Sequence, residues 1–317
     1  MMDSSRLCGF LPPVALMAGA PSFWGIWVGM EVFNMLFVPL MTERQSFRAR
    51  ARIFIFLVIQ VVSTAILLVS FLALSIVTQV FSILGMFFKL GVAPIHYWMF
   101  WVVESMAWTN LAILMSLAKV GGLTLMYLIS PPSLILPITL AGLFIPLSAL
   151  ASSSLRLIMT ASTVHHTSWV LLAWMMASGS LTSYLLAYWS VLWHLCDSLS
   201  SNNTLKDLTK MNWLHKSTVM ILILSVAGFP PLVGWFPKLL VTFNLLSLGL
   251  WVLALVAVGT SMIPFYFYLK IFVTSFLSAL SSKKSFSILY SLTGLSWLIY
   301  TISMQVLLPL TFLDWLK

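Results

Sequence analysis

Charge is scarce in this chain of 317 residues. Charged side chains make up 7% of it, with only seven Asp and Glu against sixteen Lys and Arg, while hydrophobic residues make up 61%. That scarcity excludes a soluble globular domain and a disordered chain alike. Cysteine is nearly absent too. Cys8 and Cys196 form no CxxC pair and no His/Cys cluster at metal spacing, so neither an iron–sulfur site nor zinc is expected. No glycine-rich nucleotide motif of the GxGxxG or P-loop type occurs. The basic residues form no continuous patch with interleaved aromatics, so no nucleic acid partner is expected. What remains is apolar sequence long enough to cross a bilayer repeatedly, at about 20 residues per helical span.

Eleven spans can be read, at about 7–20, 22–41, 53–73, 75–97, 105–128, 133–151, 156–177, 180–199, 217–247, 250–274 and 286–313. Arg6, the apolar run to Met17 and Ala18-Gly19-Ala20 imitate a cleaved signal peptide. The next apolar run follows almost at once, however, which favours a short first span and a tight turn at Pro21-Ser22. The expected fold class is all-α, a polytopic membrane protein with residues 1–317 as a single integral membrane domain and the lipid bilayer as its surroundings.

The basic residues test this count. With alternating loops, eleven of the sixteen fall on the side of the N-terminus: Arg6, Arg44, Arg48, Arg50, Arg52, Arg156, Lys206, Lys210, Lys216, Lys283 and Lys284. Only Lys317 falls opposite. By the positive-inside rule the N-terminus lies on the cytoplasm-like or matrix-like face and the C-terminus across the membrane. Four lysines remain: Lys89, Lys119, Lys238 and Lys270.

An ammonium group near the middle of a bilayer costs roughly 3 kcal/mol on insertion scales, so such a residue marks function by default. Lys89 stands in Lys89-Leu90-Gly91-Val92-Ala93-Pro94-Ile95-His96-Tyr97-Trp98, where Pro94 lacks the donor that a continuous helix needs. Glu31, mid-span in the second segment, reads either as a protonated packing residue or as the partner of Lys89. Lys119 lies roughly 13 Å from the nearer end of its span, too deep for easy snorkelling. His165 and His166 are adjacent in the seventh span. Neighbours on a helix point about 100° apart, so at most one of them faces a given path. A histidine, titrating near pH 6.5 on average, takes and releases protons at small cost, or else serves as interhelical glue. His96, beside Pro94, is a further candidate. Lys270, among interfacial aromatics, reads as a snorkelling residue, Glu104 as a solvated loop charge and Asp197 as interfacial.

The ninth span is interrupted by Gly228-Phe229-Pro230-Pro231-Leu232-Val233-Gly234, followed by Lys238. Pro230 and Pro231 cannot continue a helix, so two half-helices must flank an irregular segment buried in protein or lining a cavity. The two proline-interrupted, lysine-bearing spans lie five apart and therefore run in opposite senses. That is the mark of an inverted repeat, with a first repeat at about 7–128, a second at about 133–274 and a C-terminal helix at about 286–313.

Four separated motifs then carry a resemblance over roughly residues 22–274. They are Trp27-Val28-Gly29-Met30-Glu31, the Lys89–Trp98 stretch, Leu155-Arg156 leading to His166 and Trp169, and Gly228 through Lys238. Together they resemble the chain 2 family of NADH-ubiquinone oxidoreductase, respiratory complex I, whose fold is related to cation/proton antiporter subunits. The resemblance implies a proton-pumping membrane subunit of the mitochondrial inner membrane, with its N-terminus in the matrix and its C-terminus in the intermembrane space. It implies a relay through Glu31, Lys89, Lys119, His166 and Lys238. Other membrane-arm subunits of complex I are the implied partners. NADH, flavin, iron–sulfur clusters and the quinone headgroup are expected on other subunits, and no cofactor in this chain. The sequence departs from the family pattern at Phe100-Trp101, where a Pro-Glu pair is usual, at Leu157 and at His165. Glu104 therefore does not take the role of that missing glutamate. A cation/proton antiporter subunit and a structural membrane subunit without transport are the competing readings.

Overall fold

The fold is that of a computed structural model. It describes residues 8–42, 46–72, 76–129, 132–150, 152, 154–176, 180–199, 207, 213–230 and 232–281. Pro231, the expected C-terminal helix at about 286–313 and the basic residues Arg6, Arg44, Lys206, Lys210, Lys283, Lys284 and Lys317 lie outside them.

Among the described residues the elements are α-helices with two short 3-10 turns, in line with the all-α expectation. In order they are α1 (Leu11–Gly19), α2 (Phe23–Thr42), α3 (Phe47–Leu72), α4 (Ile76–Leu90), α5 (Tyr97–Val103), α6 (Trp108–Met115), a 3-10 turn (Leu117–Lys119) and α7 (Val120–Ile129). There follow α8 (Pro132–Leu143), a second 3-10 turn (Ile145–Ala149), α9 (Leu155–Met175), α10 (Ser180–Ser198), α11 (Trp213–Ala227), α12 (Trp235–Ser247) and α13 (Trp251–Ser281). Helix is the natural answer to this composition, because an apolar medium offers backbone groups no partner outside the chain. Among the described residues, four stretches are long and apolar enough to cross a membrane: Phe23–Thr42, Ala49–Leu72, Trp108–Leu128 and Trp251–Ser275.

The chain divides into two compact units, residues 1–145 with 159–168, and residues 146–158 with 169–317. In the first, α7 is the hub, packing on α1, α2 and α4, while α3 packs on α2, α4 and α5. A string of rings fills its core: Phe10 to Phe33 at 5.3 Å, Phe33 to Phe37 at 5.7 Å, Phe37 to Phe56 at 5.7 Å and Phe56 to Trp98 at 5.8 Å. α1 starts with Pro12-Pro13 in its first turn, where a missing N–H leaves no bond unmade. A bend at Pro21-Ser22 leads directly into α2.

In the second unit α11 packs on α10 and α13, and α12 on α10 and α13. Tyr184, Tyr188, Leu192 and Cys196 recur at helical spacing along α10 and are all buried. His215 Nε2 donates to the Ser198 carbonyl at 2.9 Å, tying the start of α11 to the end of α10. Lys270 lies exposed on α13.

Candidate functional site

The fourth apolar run does not continue as helix to residue 97. α4 stops at Leu90, and Gly91 takes a left-handed φ of +63° that an L side chain resists. Its N–H bonds the Phe87 carbonyl at 2.9 Å, and the Val92 N–H reaches the same carbonyl at 3.3 Å. This glycine cap precedes Pro94. Lys89 thus occupies the last turn of a helix, at the negative end of its dipole. It is buried, 6% exposed.

Glu31, on α2, acts electrostatically on Lys89. The two do not meet as the contact ion pair that the sequence suggested. Glu31 Oε1 and Lys89 Nζ are both buried atoms with no hydrogen-bond partner among the described residues. A charge whose neighbour interacts across a gap, rather than through a fixed hydrogen bond, is free to respond when that neighbour changes.

Lys119 occupies a feature that the sequence did not signal. Instead of one helix from 105 to 128, α6 ends at Met115 and residues Leu117–Lys119 tighten into a 3-10 turn before α7 begins. The cause is local: the Ser116 hydroxyl donates to the Ala112 carbonyl at 2.6 Å, and Ser116 adopts φ −118°, ψ −80°. Serine competing for a helix carbonyl in this way bends helices. A mid-helix 3-10 stretch is where helices change course. Lys119 is 3% exposed, and its Nζ has no partner among the described residues.

His165 and His166 lie in the buried middle of α9, with Thr160, Ser162, Thr163, Thr167 and Ser168 buried around them. Several of these hydroxyls bond carbonyls of their own helix: Ser162 to Met159 at 2.9 Å, Thr163 to Thr160 at 2.8 Å and Thr167 to Val164 at 2.7 Å. A helix segment this polar and this buried lines something other than lipid. His165 Nδ1 donates to the Leu143 carbonyl at 3.2 Å, where α8 gives way to the 3-10 turn around Pro146. A Cβ on Gly142 would strike the Ser168 hydroxyl and come to 3.6 Å of Val92, so glycine brings this part of α9 up to α8 and to the segment after Gly91. His96 is buried just before α5, its ring 4.3 Å from that of Tyr97 and 5.7 Å from that of Phe100.

Lys238 belongs to the second unit. α11 ends at Ala227, residues 228–230 and 232–234 are not helical, and α12 starts at Trp235. Gly228 has φ +87°. The N–H groups of Gly228 and Phe229 both reach the Leu224 carbonyl, at 3.2 and 3.1 Å, the same capping pattern as at Gly91. Lys238 Nζ donates to the Ala227 carbonyl at 3.1 Å. Gly234 packs so closely on the Ser225 carbonyl that no side chain fits there. Pro230 lies in this non-helical segment.

The family described as NADH:quinone oxidoreductase/Mrp antiporter, TM, matches residues 74–264. The chain is 31% identical over 289 residues to NADH-ubiquinone oxidoreductase chain 2 of Artemia franciscana, covering 88% of this chain and 92% of that one. It is 28% identical over 270 residues to the protein of the same name from Anopheles gambiae, covering 79% of each. In fold it is similar to a chain of respiratory complex I from Thermus thermophilus, with TM-score 0.76 and 19% identity over 85% of this chain and 69% of that one. It is also similar to a chain of the Mrp complex from Dietzia, with TM-score 0.77 and 19% identity over 84% of this chain and 59% of that one.

Proposed function

The chain belongs to the NADH:quinone oxidoreductase/Mrp antiporter transmembrane family, and from this we infer that it is a proton-translocating membrane-arm subunit of NADH:ubiquinone oxidoreductase. The observation that carries the reading is the pair Lys89 and Lys119. Each is a buried ammonium group without a hydrogen-bond partner among the described residues, and each sits where an α-helix gives out. Keeping such groups in an apolar core costs stability, which packing alone gives no reason to accept.

Glu31, Lys89, Lys119, His166 and Lys238 form the proposed relay. A change of charge at Lys89 alters its interaction with Glu31, and Lys119, His166 and Lys238 respond in sequence by the same electrostatics. Moving one proton against the potential costs about 2.3 kcal/mol per 100 mV, the scale of a few charge rearrangements at low dielectric. The redox groups sit on other subunits of the complex, and electron transfer there drives the relay. The chain spans the mitochondrial inner membrane with eleven helices in an inverted repeat, two of them broken near Pro94 and near Pro230-Pro231. Its N-terminus lies in the matrix and its C-terminus in the intermembrane space, as the sorting of basic residues supports.

Lys89→Met and Lys119→Met keep side-chain volume and remove charge. In the assembled complex, reconstituted in vesicles, each should lower the protons moved per NADH oxidised, and an unchanged ratio in both overturns the relay. The likeness in fold to a chain of the Mrp complex favours a second reading, cation/proton exchange through the same groups. That reading requires proton flux driven by a sodium or potassium gradient without NADH.

A further inference from the structure

The double glycine that follows Lys119 has no conformational reason to be there. Gly121 and Gly122 stand in the first turn of α7, and neither has a positive φ. Glycine is otherwise a poor helix former. What they share is closeness. A Cβ on Gly121 would meet Met30 Cγ at 2.5 Å and Met17 Sδ at 2.8 Å. A Cβ on Gly122 would meet Leu90 Cδ2 at 2.7 Å and Cγ at 2.8 Å.

The residues received by the glycines matter. Met30 precedes Glu31 on α2, and Leu90 follows Lys89 on α4. α7 is the helix on which α2 and α4 both pack, and the 3-10 turn that carries Lys119 also packs on α4. The neighbours of two ionisable residues therefore plug into the two residues that lie just beyond the third. We propose that Gly121 and Gly122 are positioning residues, setting how closely the backbones bearing Glu31 and Lys89 approach the backbone bearing Lys119. Coulomb coupling between groups in a low-dielectric core depends steeply on separation. A methyl group wedged at either contact pushes the elements apart and weakens the coupling while leaving every charge in place.

This inference rests on the relay reading, and Gly85 supplies the control. It lies on α4, where a Cβ would meet Leu67 Cγ at 2.9 Å and the Ser63 carbonyl oxygen at 3.2 Å, a crowded contact made with α3, which carries no member of the relay. The experiment compares Gly122→Ala with Gly85→Ala in the assembled complex, reading both the amount of complex and the protons moved per NADH oxidised. Gly122→Ala should lower the ratio at least about twofold. Leu90→Ala added to it should restore the ratio, and Gly85→Ala should change only the amount. Equal ratios in the two single variants overturn the proposal. If Lys119→Met lowers the ratio and Gly122→Ala does not, the relay stands and the positioning role falls. If Gly122→Ala does not accumulate, Leu90→Phe and Leu67→Phe, which add bulk, make the same comparison from the opposite side of each contact. A lowered ratio in the first alone upholds the proposal, and equal behaviour overturns it.

Discussion

Lys238 reaches back across the helix interruption to the last residue of the preceding helix, its ammonium donating to the Ala227 carbonyl at 3.1 Å. That carbonyl is one that α11 leaves open at its end. The lysine therefore works where the helix backbone has an acceptor to spare.

Gly228 holds this arrangement, since a Cβ there would come to 3.0 Å of Lys238 Nζ. Its φ of +87° also penalises any L residue by about 1–2 kcal/mol. Gly228→Ala should lower the heat stability of the complex and displace the ammonium from Ala227. Proton pumping should fall with it. Full pumping in Gly228→Ala alone would show that the Lys238–Ala227 contact is not needed.

Glu31 and Lys89 interact without touching, so a double-mutant cycle should detect them. Pumping rates for Glu31→Gln, Lys89→Met and the pair together should be non-additive, with a coupling of about 0.5–3 kcal/mol. Additive losses would mean that the two groups act independently.

The two histidines should separate cleanly. His165→Ala removes the donor to Leu143 and should cost about 1–3 kcal/mol of stability, with pumping per assembled complex retained. His165→Asn, which keeps a donor, should recover part of that stability. His166→Ala, also in the buried core, should reduce pumping per assembled complex. Thermal inactivation and proton-to-electron ratios on the same preparations decide it.

Arg52 and Glu104 form an ion pair of 2.8 Å whose side chains are 40% and 49% exposed. A pair so open to solvent contributes at most about 1 kcal/mol. Glu104→Gln should leave pumping unchanged and alter stability slightly, with the difference shrinking as salt is added. A loss of pumping would place Glu104 in the proton path after all.

Much of the site was legible because desolvated charge leaves a strong mark in an apolar sequence. Lys89, Lys119 and Lys238 stand out by depth alone, and all three are buried. The helix ends near Lys89 and Lys238 were signalled by Gly91, Pro94, Gly228 and Pro230, residues that act on the backbone directly. The turn at Lys119 was not legible. Ser116 carries no such imprint, because a serine in a helix usually bonds a carbonyl of the previous turn without unwinding it, as Ser162 and Ser225 do here. Nor could helical spacing decide between His165 and His166. What the fold adds is the bond from His165 to the Leu143 carbonyl, twenty-two residues away in the chain. The second 3-10 turn, from Ile145, shortens the sixth span, and Pro146 was its visible cause.

The turn at Leu117–Lys119 also resets the screw of the chain. Each of its three residues advances about 120° instead of 100°, so everything from Val120 onward is rotated by about 60° relative to an uninterrupted helix. A wheel drawn through Trp108–Ile129 as one cylinder assigns faces wrongly on one side of Ser116. Cross-linking pairs selected by four-residue arithmetic across Ser116 will therefore miss their targets, whereas pairs chosen within α6 or within α7 will find them.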